Sequence, residues 1–392
     1  MRVAKGDAVS LTRELVRIDS RNPSLVPGGP GEGAAARALG NILNEWGFRV
    51  EIVDAAPDRP NVVARVGRVG GRILMFNGHL DVVGTDGMSH DPWMAPEQRD
   101  RIFGRGSSDM KAGVAAMCAA AARASDAGDG LDGEIVIAAV IDEEFESIGT
   151  RVLLERGVRA DAAIVAEPTQ LAVMPAHLGF VWIQITIHGR AAHGSRWDLG
   201  IDAIRHAGLL LAELDRMDCI ELPARQHPLL GRPSIHASTI EGGSGMSTYP
   251  ERCVVRVERR TIPGETPQQI RDEVETACTR VRERRPTFSG DVALIFSQTP
   301  SDVSVDSPIV RALGDALRAT GEPVRVEGMT AWTDAALLNA AGIPAICFGP
   351  GDISLAHSAE EWVTCAEIDC ATNVLTQLAV NWCGHRGDAW GS

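Results

Sequence analysis

RILMFNGHLD, residues 72–81, ends an apolar run in a cluster of polar groups: Ile73 to Phe76 read as a buried strand, and Asn77, Gly78, His79, Leu80 and Asp81 follow directly. The same order recurs twice. Ile135 to Ile141 runs into Asp142, Glu143 and Glu144, and Ala162 to Val165 runs through Ala166 into Glu167 and Pro168. A fourth apolar run, Ala345 to Phe348, and helical composition at Gly33–Gly47 and Ala112–Ala124 complete an alternation of strands and helices. The fold expected is α/β, a helix-flanked and mostly parallel sheet. In open sheets of this kind ligands bind beyond the carboxyl ends of the strands, so three separate segments would deliver oxygen and nitrogen donors to one edge.

The middle of the chain follows a different period. FVWIQITIH (180–188) alternates strictly, which suits a strand with one wet face, and a helical stretch follows from Ile201 to Leu214. CVVRVERRTI (253–262) leads through Pro263 and Gly264 into a second helical stretch, Pro267 to Arg284, and then the strand DVALIF (291–296). This reads as a smaller α+β domain inserted in the first. The expected boundaries are 1–178 and 299–392 for the catalytic domain and 179–298 for the insertion. Two domains also suit 392 residues, since single cores stop growing at roughly 250–300.

Composition narrows the function. A net charge of −14 disfavours nucleic acid, whose phosphates are bound by clustered Lys and Arg. No apolar run approaches the ~20 residues that cross a bilayer, and the start MRVAKGDAVSLTREL has no basic-then-apolar signal pattern, so no membrane partner and a cytoplasmic location are expected. The eight cysteines are scattered without a C-x-x-C pair, as in a reduced protein.

The chemistry collects in acids and histidines. In His79-Leu80-Asp81 the imidazole and the carboxylate fall on one side of an extended segment, so Asp81 can accept from the second ring nitrogen of a metal-bound His79. Asp109 lies in the glycine- and serine-rich GRGSSDMKAG (104–113), where it or Ser108 could equally be a helix N-cap. Glu143 and Glu144, ordinary surface acids elsewhere, can at a strand exit divide labour between proton transfer and metal binding. His357, on the sharply turned loop GPGDISLAHSAEEW (349–362), is the candidate distal ligand among ten histidines. His193, in GRAAHGS, is set among small residues that let a ligand or another subunit approach closely.

With these residues collected, the chain resembles the zinc-dependent M20 peptidase family, the group of acetylornithine deacetylases, succinyl-diaminopimelate desuccinylases, aminoacylases and glutamate carboxypeptidases. Nine segments occur in the family's order: FNGHLDVV, GRGSSDMKAG, DEE, AEPT, GRAAHGS, EGGSGMSTYPERC, ERRTIPGE, WTDAALL, and GPG with AHSAEEW. The resemblance implies two Zn²⁺ ions, with Co²⁺ or Mn²⁺ able to substitute. Asp109 would bridge them, one also held by His79 and Glu167 and the other by Glu144 and His357. It implies Glu143 as general acid/base in attack of a metal-bound hydroxide on the amide bond of an N-acyl amino acid or short peptide. His193, on a lid domain that also forms a homodimer, would reach a partner's active site, and Arg260 would grip a substrate carboxylate. Ser247 stands where the family commonly has asparagine in the lid. The peptide bond after Asp109 is often cis in the family.

Four other readings compete. Gly31–Ala36 spells G-x-G-x-x-A, but the turn-rich SRNPSLVPGGP precedes it where a dinucleotide fold needs a strand. No G-x-S-x-G elbow supports a serine hydrolase. A hydrolase of a less usual C–N bond, or a non-catalytic binding member of the family, shares the scaffold and is separated by assay.

Overall fold

In the computed structural model, which describes residues 3–128 and 130–384, the apolar runs lie side by side. Glu134–Val140, Ile73–His79, Ala162–Val165 and Ala345–Cys347 are neighbours in that order and run parallel. Outside Glu134–Val140 the sheet continues antiparallel through Arg59–Gly67 to Arg49–Ala56. Beyond Ala345–Cys347 it continues antiparallel to Val173–His177. The parallel strands are the buried ones: every residue of Glu134–Val140 and Ala162–Val165 is buried, which explains why they read as nearly continuous apolar runs.

Helices flank this sheet. Leu39 and Leu43 of Gly33–Glu45, Val114 and Met117 of Ala112–Ser125, Leu313 and Leu317 of Pro308–Ala319, and Leu375 and Leu378 of Cys365–Cys383 share one core with Leu74, Phe76, Ile135, Ile137 and Ile164. The alanine-rich Ala112–Ser125 is buried on nearly all sides, so small side chains are what let it sit this close to its neighbours. At Gly113 a Cβ would fall 1.8 Å from the carbonyl oxygen of Ala166.

The chain divides into two compact units. The first takes the chain up to Pro175, Val303–Glu327 and the described residues from Thr333 on; the second takes Ala176–Asp302 and Gly328–Trp332. The second unit is built on a four-stranded antiparallel sheet in the order Ser234–Gly242, Arg252–Thr261, Gly179–His188, Ser289–Gln298. Val181, Ile183, Ile185 and Ile187 point from the alternating strand into a core with Ala203–Arg216 and Pro267–Arg284. Each helix has a sequence-encoded start. Asp202 accepts from Arg205 N at 2.8 Å. Thr266 and Gln269 form a reciprocal capping box ahead of Pro267.

All eight cysteines are free and six are buried. Among the described residues no helix is long and apolar enough to cross a membrane.

Candidate metal centre

Parallel strands end their carbonyl sides together, and that edge collects the acids. His79 closes its strand opposite Val140, while Asn77 pairs with Val165. Glu143 and Glu144 lie in the turn after Val140, and Glu167 follows Val165, so strand spacings of ~4.8 Å bring their side chains within reach of one another. Leu80 N donates to Val140 O at 2.8 Å and Ala166 N to Asn77 O at 2.9 Å, carrying the register past the strand ends.

Two loops complete the set. Asp109 stands just before the helix Ala112–Ser125, and the Asp109–Met110 peptide bond is cis. Met110 is buried under His79, whose backbone N–H donates to its Sδ at 3.3 Å. Gly78 makes room for this, since a Cβ there would meet the Met110 methyl at 2.8 Å. His357 comes from the loop after Ala345–Cys347 and holds a left-handed φ of 60°.

The side chains form two overlapping triads. His79, Asp109 and Glu167 are buried and offer ligand atoms within 4.8 Å of one another; so do Asp109, Glu144 and His357, of which Glu144 is half-buried and His357 exposed. Asp109 faces both ways: Oδ1 lies 3.1 Å from His79 Nε2 and Oδ2 3.5 Å from His357 Nε2. Glu144 lies 3.1 Å from His357 Nε2. Glu143 belongs to neither triad but sits beside the first, 3.9 Å from His79 Nε2.

The donor set fits a cation. His79 Nδ1 lies 2.9 Å from the backbone carbonyl of Asp81, which can only accept, so Nδ1 carries the proton. Nε2 of the neutral ring then presents a lone pair to the Asp109 carboxylate. Two acceptors at 3.1 Å require a proton or a metal ion between them. The H-x-D spacing lets the Asp81 carboxylate accept from Nδ1, but in the structure the backbone carbonyl does so and the carboxylate is 3.7 Å away. Its oxygens are engaged elsewhere. They accept from Glu143 N and Glu144 N at 3.1 Å each and from Asn22 Nδ2 at 2.9 Å, so Asp81 anchors the acidic pair while its own carbonyl fixes the imidazole.

The electrostatics agree. Burial opposes a charge on His79, but the hydrogen bond with Asp109 and the charges of Glu143, Asp81 and Glu167 outweigh it and hold its pKa well above the usual range. His357 is pushed up to about 10 by its hydrogen bonds with Asp109 and Glu144. Burial pushes Glu143 and Glu167 well above ordinary carboxylates, with neighbouring acids adding to it. Asp109 lies below the ordinary range: burial acts against this, but the hydrogen bonds from His357 and His79 prevail. Protons balance the charges in this arrangement, and divalent cations would replace them.

Residues 75–381 match the model of peptidase family M20/M25/M40. The chain belongs to that family. It is therefore a metal-dependent amidohydrolase or metallopeptidase with a candidate metal-binding site. It is 29% identical to acetylornithine deacetylase of Myxococcus xanthus over 353 residues, 88% of this chain and 90% of that one. It is 28% identical over 413 aligned positions to N-formyl-4-amino-5-aminomethyl-2-methylpyrimidine deformylase of Bacillus subtilis (strain 168), covering 97% and 96%. In structure it resembles a dinuclear metal binding peptidase of family M20 from Bacillus subtilis, with a TM-score of 0.73, 17% identity and 96% of each chain covered.

Behind the centre of this M20 chain lies a buried ion network that sequence reasoning missed. Arg59 donates from Nε and Nη2 to the two oxygens of Glu32, each at 2.7 Å, and from Nη2 to Asp142 at 2.8 Å. Asn22 Nδ2 bridges Asp142 and Asp81. Asp142, the residue before the Glu143–Glu144 pair, is thus fixed from behind. Glu32 lies in the G-x-G-x-x-A string weighed as a dinucleotide motif, and nothing local in the sequence pairs it with Arg59.

Three of the candidate residues of the M20 chain belong to the second unit. His193 is exposed, its Nδ1 2.8 Å from Ser195 Oγ, and the next residue, Gly194, donates its N–H to the carbonyl of Ser247 at 2.8 Å. Ser247 is exposed on the Gly243–Thr248 loop. Arg260 stands 5.3 Å over the Phe180 ring and donates from Nε to Glu258 at 2.7 Å, and Trp182 Nε1 donates to the other Glu258 oxygen at 2.8 Å.

Proposed function

We propose that this chain hydrolyses the amide C–N bond of an N-acyl amino acid or short peptide with two divalent cations, zinc by preference. One would be held by His79, Asp109 and Glu167 and the other by Asp109, Glu144 and His357. The observation that carries the reading is the Asp109 carboxylate set between two imidazole nitrogens. Imidazole and carboxylate donors suit zinc. Bound there, the ions would lower the pKa of a water towards neutrality and polarise the scissile carbonyl.

The chain's own residues do the rest. Glu143, outside both triads and desolvated, is placed to take the proton of the attacking water and return it to the leaving amine. Asp81 keeps Glu143 and Glu144 in place through their backbone N–H groups. Arg260 suits a substrate carboxylate, since a guanidinium can give two parallel hydrogen bonds. We assign an oxyanion donor to His193 and a polar substrate contact to Ser247. Residues 179–298 act as the lid, and a homodimer assembled through them brings His193 to the partner's reaction. A cytoplasmic location completes the proposal.

A second reading, hydrolysis of a formamide on an amine that is not an amino acid, is favoured by the deformylase relative. One panel separates them: N-acetyl, N-succinyl and N-formyl amino acids, dipeptides and an N-formyl aminomethylpyrimidine, each assayed with Zn²⁺, Co²⁺ or Mn²⁺. Turnover of the amino-acid substrates, lost with a chelator and restored by metal, supports the first reading. Turnover of the pyrimidine alone supports the second, and a full metal complement with no turnover on any substrate contradicts both and favours a binding protein.

A further inference from the structure

The loop that carries Asp109 is gripped by one side chain. Glu361 is fully buried. Its Oε1 accepts from Ser108 N at 2.9 Å and Asp109 N at 3.0 Å; its Oε2 accepts from Gly106 N at 3.0 Å and from Arg105 Nη1 at 2.7 Å. Its backbone carbonyl also accepts from Gly104 N at 3.1 Å. A carboxylate offers about four acceptor positions, and all four are used on one loop.

Glu361 follows His357 by one turn of loop. The strand that begins after it, Trp362–Thr364, pairs with Arg101–Phe103, with Trp362 opposite Phe103. Ser108 adds a second tie, exchanging hydrogen bonds of 3.1 Å with the backbone of Asp352. Residues 101–109 are therefore tied to the His357 segment at points on both sides of His357.

We propose that Glu361 is a positioning residue for the metal centre: it sets Asp109 against His357 so that one carboxylate can serve both triads. The proposal rests on the two-cation reading above. A buried carboxylate surrounded by four donors tolerates no donor of its own. In Glu361→Gln the amide NH₂ must face either Ser108 N and Asp109 N or Gly106 N and Arg105, and the loop has to move away from it. Because Asp109 is common to both triads, both equivalents of metal should weaken together.

The test titrates Zn²⁺ into metal-free wild type, Glu361→Gln and Ser108→Ala against a chromophoric chelator, with exposed Glu360→Gln as control. Circular dichroism of each metal-free protein is recorded alongside. The expected result is native dichroism with both equivalents bound 10- to 100-fold more weakly in Glu361→Gln, the usual scale for residues that orient metal ligands, several-fold more weakly in Ser108→Ala, and unchanged in Glu360→Gln. Wild-type affinity in a folded Glu361→Gln overturns the proposal. Should that variant not fold without metal, Glu361→Asp decides, since it keeps the charge but draws the carboxylate back from residues 105–109: weaker binding with native dichroism supports the brace, and wild-type affinity overturns it. A wild type that binds no metal would instead overturn the two-cation reading, and the brace with it.

Discussion

Replacing Arg59 with methionine should destabilise the first unit by about 3–5 kcal/mol near neutral pH, the cost of removing one partner from a buried ion pair. The structure sets that scale. Glu32 and Asp142 are 0% and 1% exposed, and Arg59 is the cation bonded to both, at 2.7 and 2.8 Å. Methionine fills much of the arginine stem's volume, so the loss is chiefly of charge pairing. At ~2–4 °C per kcal/mol for a unit of this size, the midpoint should fall by roughly 10 °C. The deficit should also depend on pH. An uncharged carboxyl is far easier to bury than a carboxylate, so the folded variant takes up protons more readily than its unfolded chain. Stability of the variant relative to wild type then falls as pH rises, leaving the deficit smallest in mild acid and largest above neutrality. Urea unfolding of the metal-free proteins at pH 5.5 and pH 8 reads both effects. A second variant, Glu32→Met/Arg59→Met, should recover part of the loss. A deficit under about 0.5 kcal/mol at pH 8, the range of ordinary surface changes, or one equal at the two pH values, would refute the claim that Arg59 neutralises two buried acids.

Further outcomes follow from the centre. Glu143→Gln should keep its full metal complement, since Glu143 belongs to neither triad, while kcat falls by about 10²- to 10⁴-fold, the usual contribution of a general base; normal turnover would remove the assigned role. Gly113→Ala should cost about 3 kcal/mol or more, because its methyl would overlap the Ala166 carbonyl at 1.8 Å and force helix and strand apart. Glu167 follows Ala166, so metal affinity should fall with stability in that variant, and a stable, tight-binding Gly113→Ala would show that the contact yields.

How much of this could be read from the chain depends on how local each cause is. Parallel strands must be apolar on both faces, so Ile73–His79, Glu134–Val140 and Ala162–Val165 stand out as runs, and the polar residues that end them mark the ligand-binding edge. The second unit was legible for a similar reason, through the strict alternation of residues 180–188 and the Thr266–Pro267 helix start. The antiparallel strand Arg59–Gly67 was not, because RPNVVARVG mixes arginines with its valines; the Arg59 side chain is carried to Glu32 and Asp142 by tertiary structure alone. At Asp81 spacing places carboxylate and imidazole on one side, but it cannot tell a side-chain oxygen at 3.7 Å from a backbone oxygen at 2.9 Å. Glu361, in the acid pair of AHSAEEW, has the sequence context of a surface residue, and only its donors from residues 105–109 reveal why it is buried. Likewise no pattern in Gly328–Trp332 announces its return to the second unit.

The central claim is that Asp109 joins two ligand triads into one dinuclear site. Counting Zn²⁺ bound per chain by calorimetric titration of the metal-free protein, for wild type, His357→Ala and Asp109→Ala, tests it directly. Two equivalents in wild type, one in His357→Ala and no tight equivalent in Asp109→Ala are expected, each protein retaining native circular dichroism. Two tight equivalents in Asp109→Ala, or a single equivalent in wild type that His357→Ala leaves in place, would contradict it.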